Sequence, residues 1–193
     1  MDSYALVSAF FFSGHIPAGS DVQDGKTYEV FMWYMFVPCQ TCADPTKAPI
    51  LLFSNGGPGA PSSYGLFTEL GPFMLSQASL KTSPPTLYEN FYSWSKVANL
   101  LILNGPAPVG YSYCLPAGPS GGGLGGMACG SWNDTRTAEF NVRFLHNWCA
   151  SAIFVSCLLP RLYPFSSSSS SSSFFLFPSY SLYSSLACFD DVA

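Results

Sequence analysis

The 193-residue chain has 48% hydrophobic and 17% aromatic residues but only 9% charged ones, and its formal net charge is −4. Seven lysine and arginine residues are too few for a basic stripe, so nucleic acid is not an expected partner. No apolar run reaches the ~18 uninterrupted residues that a membrane-spanning helix needs. The length suits one domain or slightly more.

The N-terminal segment MDSYALVSAFFFSGHIP is apolar but short. Asp2 stands where a secretory signal would carry lysine or arginine, so no targeting signal is indicated. We interpret this segment as the strand-like start of an open reading frame that begins late.

Two apolar strands are predicted in the first third of the chain. The aromatic-rich segment Thr27–Val37 (TYEVFMWYMFV) is typical of a largely buried strand. The short run Pro49–Ser54 (PILLFS) lies between chain breakers and predicts a central strand. Its end, SNGGPG, is rich in glycine, which indicates positive φ or a close approach of the backbone to another group.

The seven cysteines are many for so short a chain. Cys39 and Cys42 have the spacing of half a zinc site, but no second Cys or His pair follows, so no metal site is expected. Cys114 and Cys129 bracket a glycine-rich loop, where a disulfide would contribute roughly 3 kcal/mol. The glycosylation sequon Asn133–Thr135, together with the cysteines, favours an oxidising compartment.

The middle of the chain predicts a short helix and another strand. The helix is SSYGLFTELG, with Ser62 or Ser63 as its N-cap and Gly71 with Pro72 as its end. The strand is the apolar run Val97–Leu103.

The segment DTRTAEFNVRFLHNW predicts a longer helix that ends near Trp148. We expect Asp134 to cap this helix. Its apolar face is expected to consist of Ala138, Val142, Leu145 and Cys149. This order of strands and helices is typical of an α/β fold.

Residues 150–193 differ in kind, because they are almost all Ser, Phe, Leu, Pro and Tyr and include eight consecutive serines at 166–173. A serine tract is a flexible linker. These residues also have pyrimidine-rich codons, so our hypothesis is that the tail is non-native read-through of an intron. The chain then divides into a folded domain at 1–149 and a low-complexity tail at 150–193.

Two matches to catalytic motifs are attributed to loop composition, and a third segment is a near miss. Gly118–Gly122 fits G-x-S-x-G, but that elbow requires a preceding strand and a following helix. Gly121–Gly126 fits G-x-G-x-x-G, again with no strand before it. Ser112, in GYSYC, lacks the final glycine of the elbow.

The SNGGPG loop is a stronger signal, because a strand that ends in bare backbone amides can form part of an oxyanion hole. A tight strand-to-helix turn is the structural alternative. The loop occurs in SNGGPGAPSSYGLFTELGPF, which is followed by NFYSWSKVANLLILNGPAPVGYSY and WNDTRTAEFNVRFLHNW and preceded by SGHIPAGSD and EVFMWYMFV. From Phe12 to Trp148 these motifs closely resemble the N-terminal part of serine carboxypeptidases.

The resemblance implies the N-terminal portion of an α/β-hydrolase fold, with an incomplete central sheet and a disordered Ser-rich tail. It also implies a cofactor-free Ser-Asp-His peptidase that acts on peptide C-termini in a vacuole, lysosome or secreted pool. Asn55 resembles the amide that binds the substrate carboxylate, with Gly56 beside it, and Gly57 resembles the oxyanion-hole donor. Glu69 resembles a glutamate that pairs with a second glutamate, an arrangement that shares a proton and suits acidic pH.

Several features depart from the family pattern. Ala60-Pro61 replaces Cys-Ser, so one familiar disulfide is missing, while Pro108 replaces a glycine and Phe53 a tryptophan. No GESYAG-like elbow follows the last helix, and the only histidines are His15 and His146. The sequence therefore carries half of an active site.

Three interpretations follow. The chain is an incomplete carboxypeptidase or acyltransferase and is inactive alone, or it is a non-catalytic decoy that binds peptide carboxylates, or it does not fold stably. The oligomeric state is not predicted.

Overall fold

The computed structural model describes residues 11–57, 59–119 and 127–162, with side chains as far as residue 151. Its contacts divide the chain into two units, Met1–Phe144 and Leu145–Ala193. The first unit contains every strand of the described residues, and the described part of the second is helical. The serine tract and the serine of the G-x-S-x-G match lie outside the described residues.

The fold begins with an antiparallel hairpin of β1 (Phe12–Gln23) and β2 (Lys26–Val37). Asp24 and Gly25 both have positive φ, at 50° and 74°, as a two-residue turn of this kind requires. The predicted strand at 27–37 is confirmed. The hairpin was not predicted, although the Asp-Gly dipeptide favours a turn that matches the twist of the flanking strands.

Five more strands follow: β3 (Ile50–Phe53), β4 (Phe73–Met74), β5 (Tyr88–Glu89), β6 (Asn99–Asn104) and β7 (Tyr113–Leu115). The main sheet has the order β1-β2-β6-β3, and β7 pairs with the N-terminal half of β2. Within it, β3 and β6 are parallel, whereas β2 and β6 are antiparallel. The remaining two strands, β4 and β5, form a separate two-stranded ribbon.

The two predicted apolar strands occupy different positions in this sheet. All six residues of β6 are buried, as expected for a central strand. The prediction that Pro49–Ser54 is also central is wrong for the described residues, because β3 lies at the end of the sheet and its first three side chains are 38% to 46% exposed. A short apolar run identifies a strand, but its burial depends on partners that the run itself does not reveal.

The predicted helix after β3 begins as α1 (Ser62–Gly65) and continues as a π-helical turn, Leu66–Leu70. Gly71 follows as the C-cap, as predicted. The expectation that a serine caps the N-terminus is wrong, because Pro61 holds the cap position and makes no side-chain hydrogen bond. This segment packs on one face of the sheet. Its buried Leu66 and Leu70 form a hydrophobic cluster with Val37 of β2 and with Leu100 and Ile102 of β6.

The last helix is α2 (Asp134–Leu162), which extends beyond the predicted end at Trp148. The predicted cap is displaced by one residue, since Asn133 Oδ1 accepts a hydrogen bond from Arg136 N at 2.8 Å. This bond satisfies one of the unpaired amides of the first turn.

The predicted apolar face of α2 is also wrong, because Ala138 and Val142 are exposed. Instead, Phe140 and Phe144 are buried, and Phe144 contacts Tyr34 of β2 with ring centroids 6.1 Å apart. Large aromatic side chains remove more apolar area from water than alanine or valine, so they determine which side of the helix packs.

A buried ion pair connects α2 with β1. Arg136 Nε lies 2.7 Å and Nη2 2.9 Å from the two carboxylate oxygens of Asp21. The Nη1 group donates to the carbonyls of Cys129 and Ser131, and the guanidinium lies 3.9 Å from the ring of Trp132. The guanidinium thus donates hydrogen bonds to one carboxylate and two backbone carbonyls.

Two disulfides are formed, Cys39–Cys42 and Cys114–Cys129. The second was predicted; the first uses the residues considered as half of a zinc site. In the described residues no group of three or more His, Cys, Asp or Glu could hold a metal ion. None of the helices in that part of the chain has the length and apolar character that crossing a bilayer requires.

Candidate active site

The candidate site lies where β3 and β6 end. Because these strands are parallel, their carboxyl ends meet at one edge of the sheet, where ligands commonly bind in α/β folds. The glycine-rich loop leaves β3 at this edge, and Asn104 ends β6 there.

Ser62 connects the loop to the buried strand. Its hydroxyl accepts a hydrogen bond from Asn55 N at 2.9 Å and donates to the carbonyl of Leu103 at 2.5 Å. Both polar functions of the hydroxyl are therefore satisfied in a fully buried position. The start of the loop is thereby fixed relative to the end of β6.

The side chain of Asn55 is half-buried against α1. A Cβ atom on Gly65 would lie 2.8 Å from Asn55 Oδ1 and 2.7 Å from a ring carbon of Phe53, so only glycine permits this approach. The carboxamide makes no hydrogen bond to any described residue, although its backbone is well held. It is positioned and available to a ligand.

The next residues expose backbone amides. Gly57 has a φ of +134°, and a Cβ there would lie 3.0 Å from the amide nitrogen of Gly59. Gly56 and Gly57 are both exposed, and neither amide donates to an acceptor among the described residues. Two N–H groups beside one carboxamide can bind the oxygen atoms of an anion or a polarised carbonyl.

Glu69 lies in the π-helical turn and is exposed. It comes four residues after Gly65, but Gly65 is buried whereas Glu69 is exposed. Its backbone carbonyl accepts a hydrogen bond from Asn90 Nδ2 at 3.1 Å, but its carboxylate contacts no described polar group. No hydrogen bond joins the side chains of Asn55 and Glu69.

An open cavity of about 840 Å³ lies beside this loop and was not predicted. Its wall is largely aromatic and aliphatic and includes Trp33, Met35, Tyr64, Phe67 and Tyr111, with Ser63 and Thr68 as polar members. None of the predicted site residues lines it. Only the exposed tyrosines of α1 and of the β6–β7 connection could have indicated it in the sequence.

Ser112 and His15 have structural contacts rather than catalytic ones. The buried Ser112 hydroxyl donates to the carbonyl of Asn104 at 2.6 Å and accepts from Trp33 N at 2.8 Å. The Nε2 atom of His15 is bonded to the carbonyl of Tyr111 at 2.9 Å. Ser112 therefore connects β2 with β6, which agrees with its interpretation as a near miss.

A comparison with protein families matches residues 8–153 to the serine carboxypeptidase model. Serine carboxypeptidase-like 20 of Arabidopsis thaliana is 39% identical over 102 residues, which cover 53% of this chain and 19% of that protein. Serine carboxypeptidase-like 26 of the same plant is 36% identical over 143 residues, which cover 74% of this chain and 27% of that protein.

Among solved structures, Kex1(delta)p, a prohormone-processing carboxypeptidase from Saccharomyces cerevisiae, superposes with a TM-score of 0.50 at 26% identity. The superposition covers 72% of this chain and 27% of the yeast chain. The protein therefore spans only about a quarter of the length of such relatives. From its sequence and its fold alike, the chain belongs to the serine carboxypeptidase family.

Proposed function

We propose that residues 54–71 bind the C-terminal carboxylate of a peptide, as part of a serine-type carboxypeptidase. The observation that supports this most directly is the unpaired carboxamide of Asn55 beside the two free amides of Gly56 and Gly57. In this proposal Asn55 binds the carboxylate, with Gly56 adjacent to it. Glu69 supports the same recognition by pairing with a second glutamate.

Gly57 is assigned a catalytic role through its backbone. Its N–H donates to the oxygen of the scissile carbonyl as negative charge develops there, and one such donor contributes about 10²–10³ in rate. The positive φ of this residue directs the amide without a side chain to obstruct it. The reaction also requires a nucleophilic serine and its base, which belong to the full-length form that we propose.

Alone, this chain is proposed to bind rather than to hydrolyse. The alternatives are a non-catalytic fragment that sequesters peptide C-termini and a fragment of a serine carboxypeptidase-like acyltransferase. We further propose a secretory, vacuolar or extracellular location, which the two disulfides support. Residues 150–193 are proposed to be non-native read-through.

Binding to the carboxylate is tested with a short N-acyl peptide and its C-terminal amide. We expect the free acid to bind this chain about 10-fold to 100-fold more tightly, because a charge-assisted hydrogen bond contributes about 1.5–3 kcal/mol. Asn55→Ala should abolish that difference. Nuclear magnetic resonance titration measures both ligands at the weak affinities expected of half a site.

Ser54→Ala is the matched control, since Ser54 is exposed and adjacent to Asn55. It should retain the preference for the acid. Equal affinity of the acid and the amide for the unaltered chain would contradict the assignment of Asn55.

The sequon is expected to be glycosylated when the chain passes through a eukaryotic secretory pathway. Asn133 is exposed, and its Oδ1 caps α2, which leaves Nδ2 to receive the sugar without loss of the cap. Thr135→Ala should abolish the glycan and preserve the cap, whereas Thr135→Ser should retain both. The mass before and after enzymatic deglycosylation decides; an unmodified Asn133 in the secreted protein would refute the expectation.

A further inference from the structure

The bridge between Cys39 and Cys42 lies just after β2, in the connection to β3. Its two halves differ in access to solvent: Cys39 is 4% exposed, whereas Cys42 is only partly buried. The other bridge is closed to solvent at both ends, with Cys114 at 1% and Cys129 at 0%. Of the four bridged cysteines, Cys42 is thus the one that is partly exposed to a thiol in solution.

The tetrapeptide Cys39–Cys42 is held by hydrogen bonds that do not involve either sulfur atom. Gln40 N donates to the carbonyl of Ser95 at 2.7 Å, and the hydroxyl of Ser95 donates to Gln40 Oε1 at 2.8 Å. The hydroxyl of Thr41 donates to the carbonyl of Lys96. These bonds join the tetrapeptide to the segment before β6.

Asn99, the first residue of β6, fixes both ends of the same connection. Its Oδ1 accepts from Cys39 N at 2.8 Å, while its Nδ2 donates to the carbonyls of Pro45 and Ala48 at 2.9 and 3.0 Å. The side chain is buried, so these bonds are shielded from water. None of these bonds involves a sulfur atom of the bridge.

We propose that Cys39–Cys42 is a thiol–disulfide exchange site for a small thiol of the glutathione class. The thiolate attacks Cys42 Sγ, the S–S bond breaks, and Cys39 Sγ leaves as a thiolate that takes up a proton. A second thiolate then attacks the mixed disulfide and releases the oxidised small thiol and the Cys42 thiolate. Two thiols are oxidised and one protein disulfide is reduced to two thiols, so the electrons balance.

The reverse reaction uses the same geometry. Because the backbone keeps the two thiols adjacent, Cys39 resolves a mixed disulfide on Cys42 and closes the bridge again. A Cys-x-x-Cys pair of this kind exchanges through its exposed sulfur, and the buried one resolves the intermediate. The fold is retained in both states.

The full chain is incubated with reduced glutathione at neutral pH, alkylated with iodoacetamide at intervals, and digested with trypsin. Cleavage after the lysines and arginine places the two bridges in separate peptides, residues 27–47 and 97–136. We expect the first bridge to open at least about 100-fold faster than the second, which requires local unfolding. The circular dichroism spectrum should not change as the first bridge opens.

Two matched variants identify the reacting sulfur. Cys39→Ser leaves Cys42 as a thiol that should form a mixed disulfide with oxidised glutathione. Cys42→Ser leaves the buried Cys39, which should react at least about tenfold more slowly for lack of access. The proposal is overturned if both bridges of the unaltered chain open at the same rate, if opening of the first unfolds the chain, or if Cys39 reacts as fast as Cys42.

Discussion

The purified 193-residue chain is expected to release no C-terminal residue from peptides between roughly pH 4 and 7. In the part of the chain that the structure describes, no serine lies at a G-x-S-x-G turn between a strand and a helix, and Ser112 is buried with both hydroxyl functions occupied. An oxyanion site without its triad retains only about 10³–10⁴ over the uncatalysed rate in well-formed enzymes. In our proposal, the donor that follows the nucleophile also belongs to the full-length form.

The measurement combines a fluorogenic carboxypeptidase substrate with a serine-directed phosphonate probe. Turnover should equal that of buffer, and no serine should be labelled, since binding without a nucleophile forms no acyl-enzyme. Turnover with covalent labelling of one serine, both lost when that serine is replaced by alanine, would show that the chain is itself an enzyme.

Asp21→Ala is expected to lower the free energy of unfolding by about 2–4 kcal/mol, because it leaves the buried guanidinium of Arg136 without its counter-ion. The Arg136 side chain is 7% exposed and that of Asp21 is 27% exposed. Because Asp21 is partly exposed, water reaches the position that its side chain vacates. The loss in unfolding free energy is therefore expected to be smaller than for a fully buried pair. Urea denaturation followed by tryptophan fluorescence measures the difference.

Glu139→Gln is the matched control on the same helix. Its carboxylate lies 3.8 Å from Arg143, and both side chains are about half exposed. An exposed pair of this spacing contributes only about 0.3–0.5 kcal/mol. Equal losses from the two variants would mean that the Asp21–Arg136 pair contributes no more than a surface contact.

The double variant of Asp21→Ala with Arg136→Met separates attraction from the cost of a stranded charge. It should lose less than the sum of the two single variants, since methionine needs no counter-ion. A purely additive loss would indicate that the carboxylate and the guanidinium stabilise the fold independently.

The sequence identified most strands and helices but not their neighbours. Apolar runs located β2, β3 and β6, because side chains that leave water must be apolar whichever strand they join. The exposure of β3 depends on which strands pair with it, which is not a local property. The face of α2 was misassigned for a related reason: Arg136 packs inward only because Asp21, more than a hundred residues away in sequence, meets it.

The candidate site was predicted in part. The glycine-rich loop could be recognised, since positive φ at Gly57 requires the residue that stands there. The role of Ser62 could not, because the hydroxyl that fits an N-cap instead bridges the loop and Leu103 across 41 residues. Nor does the sequence around Gly65 distinguish it from an ordinary helix residue, because its close neighbours Asn55 and Phe53 lie outside the helix.

The second disulfide also determines where this protein tolerates extra sequence. Cys114 and Cys129 are joined covalently, Gly118 N donates to the carbonyl of Cys114 at 2.7 Å, and Arg136 holds the carbonyl of Cys129. With both stems fixed in this way, doubling the length of the glycine-rich segment between them costs only about 0.6 kcal/mol of closure entropy. An epitope or a fluorescent reporter inserted there would therefore leave the sheet and the candidate site undisturbed.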